Sequence, residues 1–168
     1  MSYRYLAVLG LLLLTAACGF QPLYATRGEQ TDTRHELAQI EINVISGRLG
    51  QQVHNYLLDR ISPLGPPGSP LYVLDIKLSL SRQELGVQRD ATTTRAKFIL
   101  FANYRLVKKE GGEQLFQGST QTANSFTIVQ SDFANLSAEK DAIDRAAREV
   151  TDSIRARLAL YFATQAGP

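Results

Sequence analysis

Residues 71–81 read Leu-Tyr-Val-Leu-Asp-Ile-Lys-Leu-Ser-Leu-Ser, and apolar residues occupy every second position of the stretch. A period of two places alternate side chains on opposite faces of an extended strand. One face carries Tyr72, Leu74, Ile76, Leu78 and Leu80, and the other carries Val73, Asp75, Lys77, Ser79 and Ser81. The pattern predicts a strand with one buried face that reaches Leu85, with a bulge or turn at Gly86.

Two more strands are predicted downstream. Residues 92–108 have apolar side chains at even positions, and Lys108–Glu113 is a hairpin turn in which Gly111 and Gly112 supply positive φ angles. Residues 114–129 are polar for most of their length. That polarity suits a sheet face against water or a polar cavity, and it equally suits a simple edge strand.

Shorter elements lie upstream of residue 71. Alternating apolar residues predict a strand over 38–45, and apolar residues three and four apart predict an amphipathic helix over 47–61. Residues 62–70 hold four of the six prolines, which predicts a loop.

A second helix is predicted at the C-terminal end. Apolar residues at helical spacing predict it over 138–163, with Ser137 as its N-cap. The predicted order is strand-helix-strand-strand-strand-helix. The fold class is α+β, a two-layer sandwich in which a four-stranded sheet has two helices packed on one face, because this arrangement buries every apolar stripe.

The N-terminal residues have the features of an export signal. Residues 1–17 contain Arg4, then an apolar run that ends at Leu14, then Thr15-Ala16-Ala17. Cys18, the one cysteine, follows directly, so Leu14–Cys18 resembles a bacterial lipobox. We expect cleavage before Cys18 and a covalent lipid on it, which anchors stably once two or more acyl chains are present.

The chain is expected to divide into three parts. Residues 1–17 are a lipoprotein signal peptide, 18–36 an extended, lipidated tether, and 37–165 a single domain. Gly19 follows the cysteine where inner-membrane lipoproteins usually have Asp, which favours the outer membrane.

Composition and motifs indicate a protein that is not an enzyme. One cysteine excludes an intramolecular disulfide and a Cys-rich metal site, and a net charge of +2 is too small to argue for nucleic acid. The sequence has no nucleophile elbow, phosphate-binding glycine loop or His-Glu-x-x-His motif. His35 and His54 lie in the predicted tether and off the apolar stripe of the first predicted helix. We expect no metal and no cofactor beyond the lipid on Cys18.

Basic residues gather on the strand face opposite the predicted core. They are Lys77, Arg95, Lys97 and Arg105, and apolar Val73, Ile99, Phe101 and Val107 are interleaved with them. One interpretation is a solvated face kept soluble by its charges. The other is a site for a phosphorylated, anionic partner, whose acyl chains or protein surface would contact the apolar residues.

The run Cys18-Gly19-Phe20-Gln21-Pro22-Leu23-Tyr24 resembles the mature start of the lipopolysaccharide-assembly lipoprotein family LptE, particularly its alphaproteobacterial branch. The rest of the chain is similar to that family in length and element order. The resemblance implies an outer-membrane lipoprotein that plugs and helps assemble an LptD-like, lipopolysaccharide-translocating β-barrel and binds lipopolysaccharide. A polar barrel interior would explain the polar third strand.

Only Cys18 carries over from the family residue by residue. Arg95, Lys97, Arg105 and Lys77 are candidate lipopolysaccharide contacts on their charge pattern alone. The alternative function is a structural or assembly-factor lipoprotein of the envelope that binds a protein partner and no glycolipid. A periplasmic hydrolase is a third possibility, but no group of side chains in the sequence recommends it.

Overall fold

The structure, a computed structural model, describes residues 28–85 and 94–165. Within these ranges three helices and four strands confirm the α+β class. In chain order they are α1 (Gly28–Ala38), β1 (Ile40–Ile42), α2 (Gly47–Ile61), β2 (Tyr72–Leu85), β3 (Thr94–Lys108), β4 (Gln114–Ile128) and α3 (Asp132–Gln165).

The four strands form one mixed sheet in the order β1-β2-β3-β4. β1 is parallel to β2, with Ile40 opposite Tyr72, and α2 is the crossover between them. β2, β3 and β4 are an antiparallel meander. Its hairpin turn contains Gly111 and Gly112 at φ angles of 82° and 67°, as predicted. β4 is an edge strand, which confirms one of the two explanations offered for its polarity.

Helices α2 and α3 pack on one face of the sheet. The even-numbered residues of the strands point toward them, and Leu74, Leu100 and Leu106 are completely buried against Leu57 and Ile154. A smaller apolar cluster continues the core toward the far ends of β3 and β4. It consists of Ala96, Phe98, Phe126 and Ala142. The core therefore runs along most of the meander.

Polar contacts fix α2 against α3. Tyr56 donates a hydrogen bond to Asp144, and Arg148 lies 2.9 Å from the same carboxylate and 4.7 Å from the centre of the Tyr56 ring. The hydrogen bond to Asp144 raises the pKa of Tyr56. The hydrogen bonds from Tyr56 and Arg148 lower the pKa of Asp144.

Helix α1 corrects the predicted conformation of residues 28–36, which we expected to be extended. Leu37 at its end is buried, and Glu36 accepts a 2.7 Å hydrogen bond from Tyr72. Burial, reinforced by Glu36, raises the pKa of Tyr72 to about 12. α1 has almost no apolar residues and hence no periodic signal, so tertiary contacts hold it. The predicted signal peptide, Cys18 and the tether before residue 28 lie outside the described residues.

Two other element bounds differ from the prediction. β1 spans only Ile40–Ile42, which is shorter than 38–45, and α3 begins at Asp132 rather than at residue 138. The Ser131 hydroxyl accepts the N–H of Ala134 at 3.4 Å, so Ser131, and not Ser137, occupies the capping position. Phe133 in the first turn of α3 is 81% exposed. Because this turn buries no apolar face, the sequence has no helical apolar pattern there.

Candidate functional site

The candidate site is the sheet face that points away from the helices, hereafter the open face. It consists of Glu41 of β1 and the odd-numbered side chains of β2, β3 and β4. Nothing in residues 28–85 and 94–165 forms a second layer over it. On β3, Asn103 and Arg105 of this face are exposed, whereas Tyr104 between them is buried toward the helices.

The structure places all four predicted basic residues on the open face, but not in one cluster. Arg95 lies opposite Leu85 and Lys97 opposite Gln83, at the far end of the β2–β3 pair. Lys77 and Arg105 lie near the end where β1 pairs with β2. At about 3.3 Å per residue, Lys97 and Arg105 are roughly 26 Å apart along β3. The open face therefore has two separate cationic pairs.

The pair near β1 is partly neutralised. Arg105 Nε lies 2.9 Å from Asp75 Oδ2, and Asn43 donates a second hydrogen bond to that carboxylate. The hydrogen bond from Asn43, then Arg105 and Lys77, lower the pKa of Asp75. The carboxylate therefore stays charged and holds the Arg105 guanidinium. A polar depression of about 780 Å³ surrounds these residues.

The other pair, Arg95 and Lys97, is hereafter the far pair, and it has no carboxylate partner of this kind among the described residues. Arg95 and Lys97 form no ion pair with any residue of the described ranges. Their cross-strand neighbours are uncharged, namely Leu85 and Gln83 on β2 and Thr127 and Ser125 on β4. Among the described residues, these two cations therefore have no anionic partner.

A short apolar strip, made of Ile99, Phe101 and Ala123, lies between the two cationic pairs, and its other cross-strand neighbours are polar, namely Ser79, Ser81 and Gln121. Ile99 and Phe101 follow Lys97 on the same face of β3, and Phe101 is 42% exposed. Ala123 of β4 lies opposite Ile99. The open face thus combines exposed apolar side chains with two cations that have no ion-pair partner among the described residues.

Other basic residues near the strand ends belong elsewhere. Arg82 points to the helix side, where it lies 2.7 Å from Glu139 and above the Phe126 ring. Lys109 in the hairpin turn pairs with Glu41 at 2.7 Å. Arg89 lies outside the described residues.

Polar residues on the helix side of β4 have partners in α3, and this contact was not predicted from the sequence. Asn124 and Thr122 both donate to Glu149, the former at 3.0 Å, and Thr120 and Ser153 are 2.9 Å apart. The signal was present in the spacing of Arg145, Glu149 and Ser153 four residues apart on one helix face. Water on one side and this contact on the other account for the polarity of β4.

Within the described residues there is neither a candidate metal site nor a candidate membrane-spanning helix. No three His, Cys, Asp or Glu side chains of the described part come together to hold a metal ion. Among the same residues, no helix combines the length and the apolar character needed to cross a bilayer.

An amphipathic sheet face that its own helices leave open is typical of a binding or assembly protein. The lipopolysaccharide-assembly family LptE matches this chain over residues 37–158. Because the match covers most of the chain, the protein belongs to the LptE family of lipopolysaccharide assembly. It is therefore an assembly protein and not an enzyme, as expected.

Solved structures share the fold. A Caulobacter crescentus protein described as a candidate lipoprotein is 24% identical, with 79% of this chain and 96% of that one covered and a TM-score of 0.58. Rare lipoprotein B from Shewanella oneidensis is 14% identical, with 76% and 95% covered and a TM-score of 0.53. No curated protein matches the chain.

Proposed function

We propose that the protein is an outer-membrane lipoprotein, acylated on Cys18, that binds lipopolysaccharide through its open face during transport to the cell surface. The observation that carries this proposal is that Arg95 and Lys97, which have no ion-pair partner among the described residues, share the open face of β3 with exposed Phe101. Lipopolysaccharide joins phosphate groups to acyl chains. Cations attract the phosphates, and the apolar strip can contact the chains.

Charge reversal at the far pair tests this site. Each basic residue near an anionic lipid surface contributes about 1 kcal/mol, so Arg95→Glu/Lys97→Glu should weaken lipopolysaccharide binding at least tenfold. The measurement is binding of purified lipopolysaccharide by fluorescence or calorimetry, at two salt concentrations. The matched control is Lys140→Glu/Arg155→Glu, which makes the same charge change on exposed positions of α3.

The control separates local contact from net charge. It should bind within about threefold of the unchanged protein, because electrostatic contributions fall off over about 10 Å at 0.1 M salt. Equal loss in both variants would mean that overall charge, and not the open face, attracts the ligand. Normal binding by Arg95→Glu/Lys97→Glu would place the site elsewhere.

We also propose that the protein plugs and helps assemble a lipopolysaccharide-translocating β-barrel of the LptD type. Family membership and the polar surface of β4 support this, because such barrels have a polar interior. Copurification of the barrel from cells tests it. If the barrel copurifies and lipopolysaccharide does not bind, the alternative of a protein-binding assembly factor applies instead.

The lipid anchor has its own test. Cys18→Ala should leave an unprocessed precursor without acyl label, and Cys18→Ser serves as an isosteric control with the same expected result. Acylation that persists in either variant would contradict the lipobox interpretation.

A further inference from the structure

β4 is a long edge strand without the usual protection. It has 15 residues from Gln114 to Ile128, and none of them is charged or proline. Natural proteins protect such edges with charges, prolines, bulges or a covering element, since an exposed edge pairs readily with another strand. The single irregularity between β3 and β4 lies at Leu106/Val107, near one end.

The direction of the unpaired backbone groups follows from the register. Lys109 N–H donates to Leu71 O, and Lys108 N–H donates to Glu113 O, so odd-numbered residues of β3 bond toward β2 and even-numbered ones toward β4. Ala96 lies opposite Phe126, so even-numbered residues of β4 bond back to β3. The odd-numbered residues from 117 to 127 therefore turn their N–H and C=O groups outward.

No group in the described part of the chain bonds to these outward N–H and C=O groups. The other free edge, on β2 beyond its pairing with β1, differs because Asp75, Lys77, Arg82 and Glu84 lie along it. Charged side chains of that kind discourage strand pairing. Of the two edges, only that of β4 is both long and uncharged.

The charged residues of β3 and β4 themselves have one sign, whereas on the helix side of β4 the carboxylate of Glu149 lies against Thr122 and Asn124. The sequences of β3 and β4 contain no acidic residue and four basic ones, which are Arg95, Lys97, Arg105 and Lys108. Across β4 from Arg95 and Lys97 lie the short side chains of Thr127 and Ser125, which leave the cations uncovered on the open face. On its open-face side, a strand added beside β4 would therefore lie in a positive field.

We propose that the β4 edge binds an extended acidic segment of another protein by strand addition, which extends the sheet to a fifth strand. The outward backbone groups of residues 117–127 supply the hydrogen bonds, and the cations of β3 select negative side chains on the open-face side. A second copy of this chain fits less well, because pairing β4 with itself would bring two sets of these cations together. The proposal shares Arg95 and Lys97 with lipopolysaccharide binding by the open face, but its hydrogen bonds come from the backbone of β4, so the peptide experiment below tests it without lipopolysaccharide.

Amide hydrogen exchange of the labelled protein, followed by NMR, tests the proposal. In the protein alone, we expect slow exchange at even positions of β4 and fast exchange at odd positions 117–127. The probe is a 13-residue synthetic peptide of alternating Val and Glu. At saturation it should slow exchange at the odd positions at least tenfold, and the same peptide with Lys in place of Glu should bind at least tenfold more weakly.

The matched variants are Gln121→Pro and Gln121→Ala. Proline removes one outward N–H and is tolerated on an edge, so it should weaken Val/Glu peptide binding at least tenfold, while alanine keeps the N–H and should bind within about threefold. The melting temperature checks that each variant folds. If Gln121→Pro does not fold, Ser125→Pro near the end of β4 replaces it, with Ser125→Ala as its control.

Several results would overturn the proposal. Odd positions that stay fast with either peptide would exclude strand addition, and equal binding of the Lys peptide would exclude an acidic partner. If exchange at the odd positions slows without any peptide as the protein concentration rises, the edge pairs with a second copy of this chain. If exchange at the odd positions is slow without peptide at every protein concentration, another part of this chain covers the β4 edge.

Discussion

At the residue scale, the four cations of the open face are not equivalent. Asp75, which accepts a hydrogen bond from Asn43, holds Arg105 in place, so the charge of Arg105 is partly neutralised within the protein. Arg95 and Lys97 have uncharged cross-strand neighbours and no ion-pair partner among the described residues. Substitutions at the far pair should therefore change binding, while Arg105 also contributes to the geometry of the sheet end.

Asp144 gives a pH-dependent prediction at the same scale. Its hydrogen bonds from Tyr56 and Arg148 lower its pKa, so its contribution to stability is present above the pKa of an unfolded Asp and is lost as the pH falls through the lowered pKa. The side chain is 31% exposed, so we expect Asp144→Asn to cost only about 1 kcal/mol at pH 7.

Urea unfolding of the unchanged protein and of Asp144→Asn, each measured between pH 7 and pH 2, checks this prediction. The difference in unfolding free energy should shrink toward zero at the acid end. Asp59→Asn on the exposed side of α2 is the matched control and should have little effect at any pH. A difference that is constant with pH would show that the carboxylate charge is not involved.

At the element scale, the start of α2 depends on Gly50. A Cβ there would lie 2.4 Å from the backbone oxygen of Ile45, which cannot move without shifting the chain between β1 and α2. Gly50→Ala should destabilise the protein by about 1–3 kcal/mol, measured by denaturant unfolding. Gly68→Ala, where a Cβ meets nothing within 4 Å, should be within about 0.5 kcal/mol of the unchanged protein. Equal effects would refute the steric argument.

The elements that were predicted correctly are those whose periodicity reflects burial. The structure confirms β2 and α2 as elements, and α2 buries its apolar stripe. On β2 only Leu74 and Ile76 are buried, and Leu80, predicted to share the buried face, is 38% exposed. α1 and the first turn of α3 lack such stripes. α1 is held by Leu37 and the Glu36–Tyr72 hydrogen bond, which join residues far apart in sequence. No local pattern contains that information.

The candidate site was predictable in part for the same reason. Alternation assigned Arg95, Lys97, Arg105 and Lys77 to one face, because parity fixes the face of a strand residue. The pairing of Arg105 with Asp75 depends on the register between β2 and β3. Alternation does not determine that register, because a shift by two residues keeps every side chain on the same face. The division into a neutralised pair and a free pair therefore required the structure.

At the scale of the whole molecule, α1 extends the folded unit before residue 37, where the family match begins. Starting the chain at residue 37 instead of 28 would remove the Glu36–Tyr72 hydrogen bond and most of the helix. We expect a loss of about 1–2 kcal/mol, or a melting temperature lower by roughly 3–10 °C.

Thermal unfolding of the two chains tests this prediction. Glu36→Gln in the longer chain isolates the contribution of the hydrogen bond and should account for less than half of the difference. Identical melting temperatures for the two chains would show that α1 contributes nothing to stability.

The parallel pairing of β1 with β2 also sets an order of events in time. Ile40 meets Tyr72 only after the helix and proline-rich loop between them have been spanned, whereas each strand of the meander meets the next across a local connection. Contacts between distant residues form late because loop closure costs entropy first. We therefore expect the meander and α3 to fold first and β1 to dock last, so α1, which directly precedes β1, would reach its final position only after the rest of the described fold has formed.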